Sequence, residues 1–143
     1  MKTPKRTLGF TLVELMIAVV IVGIASKLAY GAFTDATRRS KMTTAFAITM
    51  SYAGLMERYF TTNNKYGTST CGGTLPDPAE GFIFSCALGG GGQTYVATAT
   101  GSGSVDGYVY TIDQLGARKT TKFNGVDLPS PLPTCWWQKQ GQC

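Results

Sequence analysis

A long apolar run near the N-terminus, entered from a short basic head and holding one early carboxylate, constrains this chain more than any other feature. Residues 2–26 read Lys-Thr-Pro-Lys-Arg-Thr-Leu-Gly-Phe-Thr-Leu-Val-Glu-Leu-Met-Ile-Ala-Val-Val-Ile-Val-Gly-Ile-Ala-Ser. Lys2, Lys5 and Arg6 precede the run and favour the cytoplasmic side of a membrane, so everything after it is directed outward. Phe10 to Phe33 spans 24 residues, roughly 36 Å as a helix, enough to cross a bilayer with some tilt. Glu14 lies inside the run. A carboxylate in hydrocarbon costs roughly 2–3 kcal/mol or more, which marks a functional site unless the group is simply solvated among the headgroups. An ordinary secretory signal is cut after its apolar stretch and loses it.

The order Gly9-Phe10-Thr11-Leu12-Val13-Glu14, basic residues before and apolar residues after, resembles the N-terminus of a type IV prepilin. The resemblance implies cleavage between Gly9 and Phe10 by a prepilin peptidase and methylation of the new Phe10 amine. Cutting there removes nine of 143 residues and leaves a chain of 134 that begins with its own membrane helix. It also implies that Glu14 pairs with the Phe10 ammonium of a neighbouring subunit. Two costly charges that neutralise each other only on assembly fix the register between helices. Farther along, Leu55 to Tyr66, Thr94 to Ala99, Tyr110 to Gly116 and Cys135-Trp136 are similar to PilE-like type IV pilins. Lys27 stands where that group usually has a small apolar residue, and Gly31 where it usually has proline. These departures lean toward a minor rather than an abundant subunit. The strand cysteine that the group often carries near Asp113 is missing.

The length allows one domain plus a membrane segment. Thirteen Lys and Arg against eight Asp and Glu give +5. Three of the cations lie in the leader, so the mature chain carries ten against eight, a net +2, which alone does not argue for nucleic acid. The chain has no His, which removes His-based triads, His proton shuttles and most catalytic zinc sites. No nucleophile–base pair or metal set is apparent, so neither a cofactor nor enzymatic activity is expected. Cys71, Cys86, Cys135 and Cys143 all follow the apolar segment, on the oxidising side, and read as two disulfides. Three pairings are open. Cys71–Cys86 and Cys135–Cys143 are favoured because each closes a loop rich in Gly, Pro or polar residues. Cys86–Cys135 would instead tie the C-terminus to the sheet.

The pattern predicts an α+β fold: a long N-terminal helix, membrane-spanning in its first half, packed on a C-terminal antiparallel sheet. Residues 1–9 form the leader, 10–33 the membrane and filament-core half, 34–60 the amphipathic half, and 61–143 a disulfide-bonded β head. The resemblance implies some loss of helical order between Gly23 and Gly31 in an assembled filament. Arg38, Arg39 and Lys41 mark the exit from the membrane. Beyond them Ala45, Ile48, Tyr52, Leu55 and Tyr59 recur at spacings of 3 and 4, an apolar stripe. Thr49, Glu57 and Arg58 fall off it. Helix end is expected near Asn63–Asn64, then an irregular loop to Glu80. Strands are expected over Gly81–Leu88, Thr94–Thr100, Gly107–Asp113 and Ala117–Phe123, joined by Gly-rich hairpin loops at 89–92 and 101–107. The run Gly89–Gly92 lacks the Lys-Ser/Thr that a phosphate-binding loop needs.

These readings place the protein in the bacterial inner membrane, as a single-pass chain, before assembly, and in an extracellular filament afterwards. Its partners would be other pilin subunits, the prepilin peptidase and the membrane. A secretion pseudopilin shares this N-terminus, but often binds calcium through clustered carboxylates, and Asp106, Asp113 and Asp127 are scattered. The filament would support adhesion, twitching motility or DNA uptake. Arg118, Lys119 and Lys122 cluster in the fourth strand, with Trp136, Trp137 and Lys139 in the last loop. Cations beside stacking aromatics are what sequence-tolerant DNA capture requires. The bland alternative is a charged edge strand that resists aggregation, with Trp136 closing the core beside Cys135. A host or surface ligand at the Cys135–Cys143 loop is a third possibility.

Overall fold

The computed structural model describes residues 9–143, in which one α-helix, α1 (Leu12–Asn63), precedes a five-stranded sheet whose β1–β2 and β2–β3 connections each hold a short 3-10 turn. The strands are β1 (Phe82–Gly89), β2 (Thr94–Gly101), β3 (Val109–Asp113), β4 (Arg118–Phe123) and β5 (Val126–Asp127). They lie in sequence order and pair antiparallel throughout, an up-and-down meander. This is the expected α+β class. The chain forms two compact units, one ending at Thr37 and the other running from Arg38 to Cys143.

The first unit is the apolar part of α1. Its helix starts because Thr11 caps it: the Thr11 hydroxyl accepts the Glu14 backbone N–H at 3.2 Å, and the Thr11 carbonyl accepts that of Leu15. In the single chain the helix runs unbroken through Gly23 and Gly31. The helix ends where Asn64 turns left-handed at φ 53° while its N–H still reaches the Phe60 carbonyl at 2.7 Å.

In the second unit α1 lays one face on the sheet, although not quite the expected one. Met42, Ala45, Thr49, Tyr52 and Met56 are buried, whereas Leu55 stays 43% exposed and Ile48 and Tyr59 are half-buried. Thr49 was expected off the stripe. It tolerates burial because its hydroxyl donates to the Ala45 carbonyl at 2.7 Å, so no polar atom is left unpaired. Opposite this face the strands alternate as expected, with Phe82, Phe84, Tyr95, Ala97, Ala99, Tyr110, Ile112 and Thr120 turned inward. Register puts Phe84, Ala99, Tyr110 and Thr120 in one row across four strands. Small Ala97 and Ala99 on β2 share one buried cluster with the large side chains of Tyr52 and Met56 on α1.

Three local features hold the loops. Cys71 is joined to Cys86, tying the segment after the helix to β1 with Cα atoms 6.2 Å apart. Gly72 lies so close to the Tyr59 ring that any β-carbon there would collide with it. Gly107, at φ 80°, receives the Gly125 N–H at 2.9 Å, which links the β2–β3 turn to the β4–β5 turn. The two-residue β5 follows that second turn and was not foreseen.

Burial holds the phenols of Tyr95 and Tyr110 far above their ordinary value, with weaker raising of Tyr52 by the same cause. The folded pKa values lie above the unfolded ones, so this contribution to stability is complete below about pH 10 and is lost as pH rises further. Denaturation midpoints of the head should therefore be level through neutral pH and fall steeply above about pH 10. A midpoint that holds constant well above that pH would show that the phenols ionise inside the fold without penalty.

Candidate functional site

The N-terminal site is built on an exposed helix. Phe10 is 82% exposed, and the apolar side chains from Leu12 to Ile24 are all at least half exposed. Among the described residues one helix is long and apolar enough to cross a membrane, and its apolar window buries nothing within the chain. The Thr11-x-x-Glu14 spacing puts Glu14 at the third helical position, where a carboxylate also suits the positive end of the helix dipole. Gly9, Phe10 and Glu14 are thus presented together at the start of a helix, beside an apolar surface with no partner in its own chain. The residues before Gly9 lie outside the described part.

The expected cation–aromatic patch on the head is divided by the pleat of β4. Arg118 pairs with Ile112 and Thr120 with Tyr110, so both lie on the helix-facing side. Lys119 pairs with Thr111 and points to the opposite face. A bulge then leaves Thr121 unmatched and sets Lys122 opposite Val109, so Lys122 shares the outer face with Lys119. Lys122 also lies 3.4 Å from the Asp127 carboxylate on β5. Arg118 caps Trp136, its guanidinium 5.7 Å from the ring.

The two tryptophans differ as much. Trp136 is 7% exposed, stacks on Phe46 of α1 at 4.8 Å and donates its indole N–H to the Thr111 carbonyl at 2.8 Å. It closes the groove between helix and sheet. Trp137 is half-buried, edge-on to Phe123 at 5.7 Å, and its carbonyl accepts the Tyr110 hydroxyl at 2.9 Å. Thr120 knits the segment down: its hydroxyl donates to the Cys135 carbonyl at 2.8 Å and accepts the Trp137 N–H at 2.9 Å. Cys135 is joined to Cys143, their Cα atoms 5.7 Å apart, and exposed Lys139 sits in the loop they close. Arg118 stays exposed beside the Trp136 ring, Lys119 and Lys122 lie on the opposite sheet face and Lys139 in the last loop, so the cations do not form one patch, and Trp136 is turned away from solvent.

A second group of cations lies where α1 enters the head, and the sequence marked it only as a membrane exit. Arg38 donates to the Tyr108 hydroxyl at 3.5 Å with its guanidinium 5.9 Å from that ring, and Tyr108 in turn donates to Asn124 at 3.4 Å. Lys41 reaches the Ser104 hydroxyl at 3.0 Å. The cations fasten the helix to the β2–β3 and β4–β5 turns. No three His, Cys, Asp or Glu side chains come together as a metal site among the described residues.

Comparison with known proteins bears on both units. Residues 4–26 match the prokaryotic N-terminal methylation motif. The chain is 30% identical over 93 residues to the fimbrial protein EcpC of Eikenella corrodens, an alignment spanning 64% of this chain and 61% of that protein. It is 32% identical over 73 residues to the type IV major pilin PilE1 of Neisseria gonorrhoeae, spanning 50% and 44% of the two. The matches thus cover less than two thirds of these relatives' lengths. Among solved structures, a type IV pilin from Shewanella oneidensis aligns with a TM-score of 0.51 at 16% identity, over 70% of this chain and 98% of that one. The chain therefore carries the N-terminal methylation motif of prepilins on the fold of a type IV pilin.

Proposed function

We propose that the chain is a structural subunit of a type IV pilus. It is made with residues 1–9 as a leader, cut between Gly9 and Phe10 by a prepilin peptidase, and methylated on the Phe10 amine. Residues 10–33 hold it in the inner membrane as a single pass, and the head of residues 61–143 stands outside on the amphipathic helix of residues 34–60. On assembly the helix leaves the lipid, and Glu14 pairs with the Phe10 ammonium of a neighbouring subunit. The observation that carries this reading is the methylation motif over residues 4–26, overlapping the start of a helix whose large apolar side chains from Leu12 to Ile24 are exposed.

Mass spectrometry of the mature protein should find Phe10 first and carrying a methyl group. Gly9→Val should leave an uncut precursor in the membrane, since the branched side chain replaces the one residue with no Cβ at the junction. A mature chain starting elsewhere, or one missing from sheared surface filaments, overturns the proposal. Lys27 and Gly31 support a minor subunit, and copy counting in sheared filaments tests that.

Adhesion, twitching motility and DNA uptake are finer roles of such a filament, and DNA capture has the sharpest test. Lys119 and Lys122 share the outer sheet face, but Lys122 has Asp127 beside it. With two or three cations available, a soluble fragment of residues 38–143 should bind duplex DNA no tighter than roughly micromolar at physiological salt. Replacing Lys119 by Ala should lower the salt slope by just under about one unit if it touches a phosphate. No mobility shift at low salt removes this role and leaves the pilus proposal standing.

A further inference from the structure

Between Leu12 and Phe33 the helix carries two charged side chains, Glu14 and Lys27, of opposite sign and both exposed. They are thirteen residues apart, which is about 20 Å along the axis and about 140° around it. They cannot meet within one chain. Each belongs to its own face. Glu14, Ala18, Ile21 and Ala25 follow one another at spacings of 4, 3 and 4. Met16, Val20, Gly23 and Lys27 do the same on the far side, and the row continues through Gly31 and Thr34. Both faces hold small residues, and the space beside Gly23 and Gly31 is open, with nothing within 4 Å of where a side chain would begin.

We propose that α1 stays helical from Gly23 to Gly31 in the fibre, as it is in the single chain and unlike the loss of order the resemblance implies, and that Lys27 of one copy pairs with Glu14 of a second copy whose helix runs parallel to it, displaced by these thirteen residues. The displacement that brings Glu14 to Lys27 also brings Ala18 to Gly31, so small meets small one turn further on and the backbones can approach closely. Each charge is costly alone in an apolar surrounding, and a close pair with its hydrogen bonds satisfied removes most of that cost. Because the two faces differ, the contact is heterologous. Every pair leaves one Glu14 face and one Lys27 face unused, and further copies add without closure. The inference rests on the pilus reading above and departs from its minor-subunit leaning: Lys27 here serves contacts between adjoining copies of this chain, which must then be abundant in the fibre. The second carboxylate oxygen of Glu14 stays available to the Phe10 ammonium of a different neighbour.

Zero-length carbodiimide coupling of intact filaments tests the pairing directly. The carbodiimide takes up the water released as the Glu14 carboxyl and the Lys27 amine form an amide. Mass spectrometry should find that cross-linked peptide, which the axial separation allows only between copies. Lys27→Met should lower the amount of the chain in sheared filaments at least about tenfold while processing and membrane insertion stay normal. Lys27→Arg should restore it, and Gly31→Leu should lower it by separating the backbones. Filaments that contain the chain but yield no Glu14–Lys27 peptide, or that take up Lys27→Met like the wild type, overturn the pairing alone. Filaments that lack the wild-type chain altogether overturn the pilus reading with it.

Discussion

Glu14→Ala should be cut and inserted like the wild type and yet reach surface filaments at a hundredth of the wild-type level or less. Two roles for the side chain differ in size. As a carboxylate in the first helical turn, Glu14 favours the helix by about 0.3–1 kcal/mol through the dipole. The capping bond survives the substitution, because it runs from the Glu14 backbone N–H to the Thr11 hydroxyl. As a partner of buried cations it weighs more, since removing one member of a buried ion pair costs about 3–5 kcal/mol and leaves the other charge stranded. At about 1.4 kcal/mol per factor of ten, the first role predicts a few-fold loss and the second a loss of a hundredfold or more. Blotting sheared filaments against membranes separates them. A few-fold loss would reduce Glu14 to a helix-start residue and remove the register-setting role. Glu14→Gln keeps the shape without the charge and should fail nearly as badly, because a neutral amide leaves the opposing ammonium uncompensated.

The parts of this molecule that were legible beforehand are those where periodicity and chemistry agree. The apolar run, the stop near Asn63–Asn64 and the alternation in β1 to β3 all follow from local residue pattern, whereas the Thr11 cap that starts the helix at Leu12 instead of Phe10 comes from the structure. What was misread has specific causes. Polarity alone puts apolar Ile48 and Leu55 on the helix stripe and leaves polar Thr49 off it. Yet Thr49 satisfies its hydroxyl on its own helix and lies against the sheet beside Met42 and Met56. Ala45 and Tyr52 belong to both stripes, and the choice between them depends on which edge the sheet covers, a tertiary fact. The basic residues are divided for a different reason. Arg118, Lys119 and Lys122 are neighbours in sequence, but the pleat puts the exposed Arg118 on the helix-facing side of β4 and a bulge at Thr121 puts Lys122 on the outer face with Lys119. Short range could not show a bulge, nor that the two-residue β5 would set Asp127 against Lys122. Trp136 was placed in the last loop with two readings open, and the Phe46 face that buries it lies ninety residues earlier in the chain.

Trp136→Ala should cost the head about 3–5 kcal/mol, the usual result of emptying a buried aromatic site. Three independent contacts support so large an effect: the stack on Phe46, the Arg118 guanidinium 5.7 Å from the ring, and the indole N–H on the Thr111 carbonyl. Their removal leaves a hole between α1 and the sheet, which neighbouring residues held by Thr120 and the Cys135–Cys143 bridge cannot fill by collapse. For a domain that is stable by about 5–15 kcal/mol this takes a large share, equivalent to a fall in melting temperature of roughly 15 °C or more. Replacing Cys135 and Cys143 together by Ser should cost less, about 2–3 kcal/mol, because the bridge closes only a short loop. Trp137→Ala should cost least. Its side chain is half in solvent with one edge contact to Phe123, and the Tyr110 and Thr120 hydrogen bonds to its backbone persist without the ring. Thermal melts of the three variants in the 38–143 fragment give the order, and trypsin digestion below the melt gives a second measure through opening of the C-terminal segment. If Trp136→Ala melts with the wild type while Trp137→Ala does not, the indole that closes the groove has been misassigned. Trp136 would then be the ring left free to stack on a ligand.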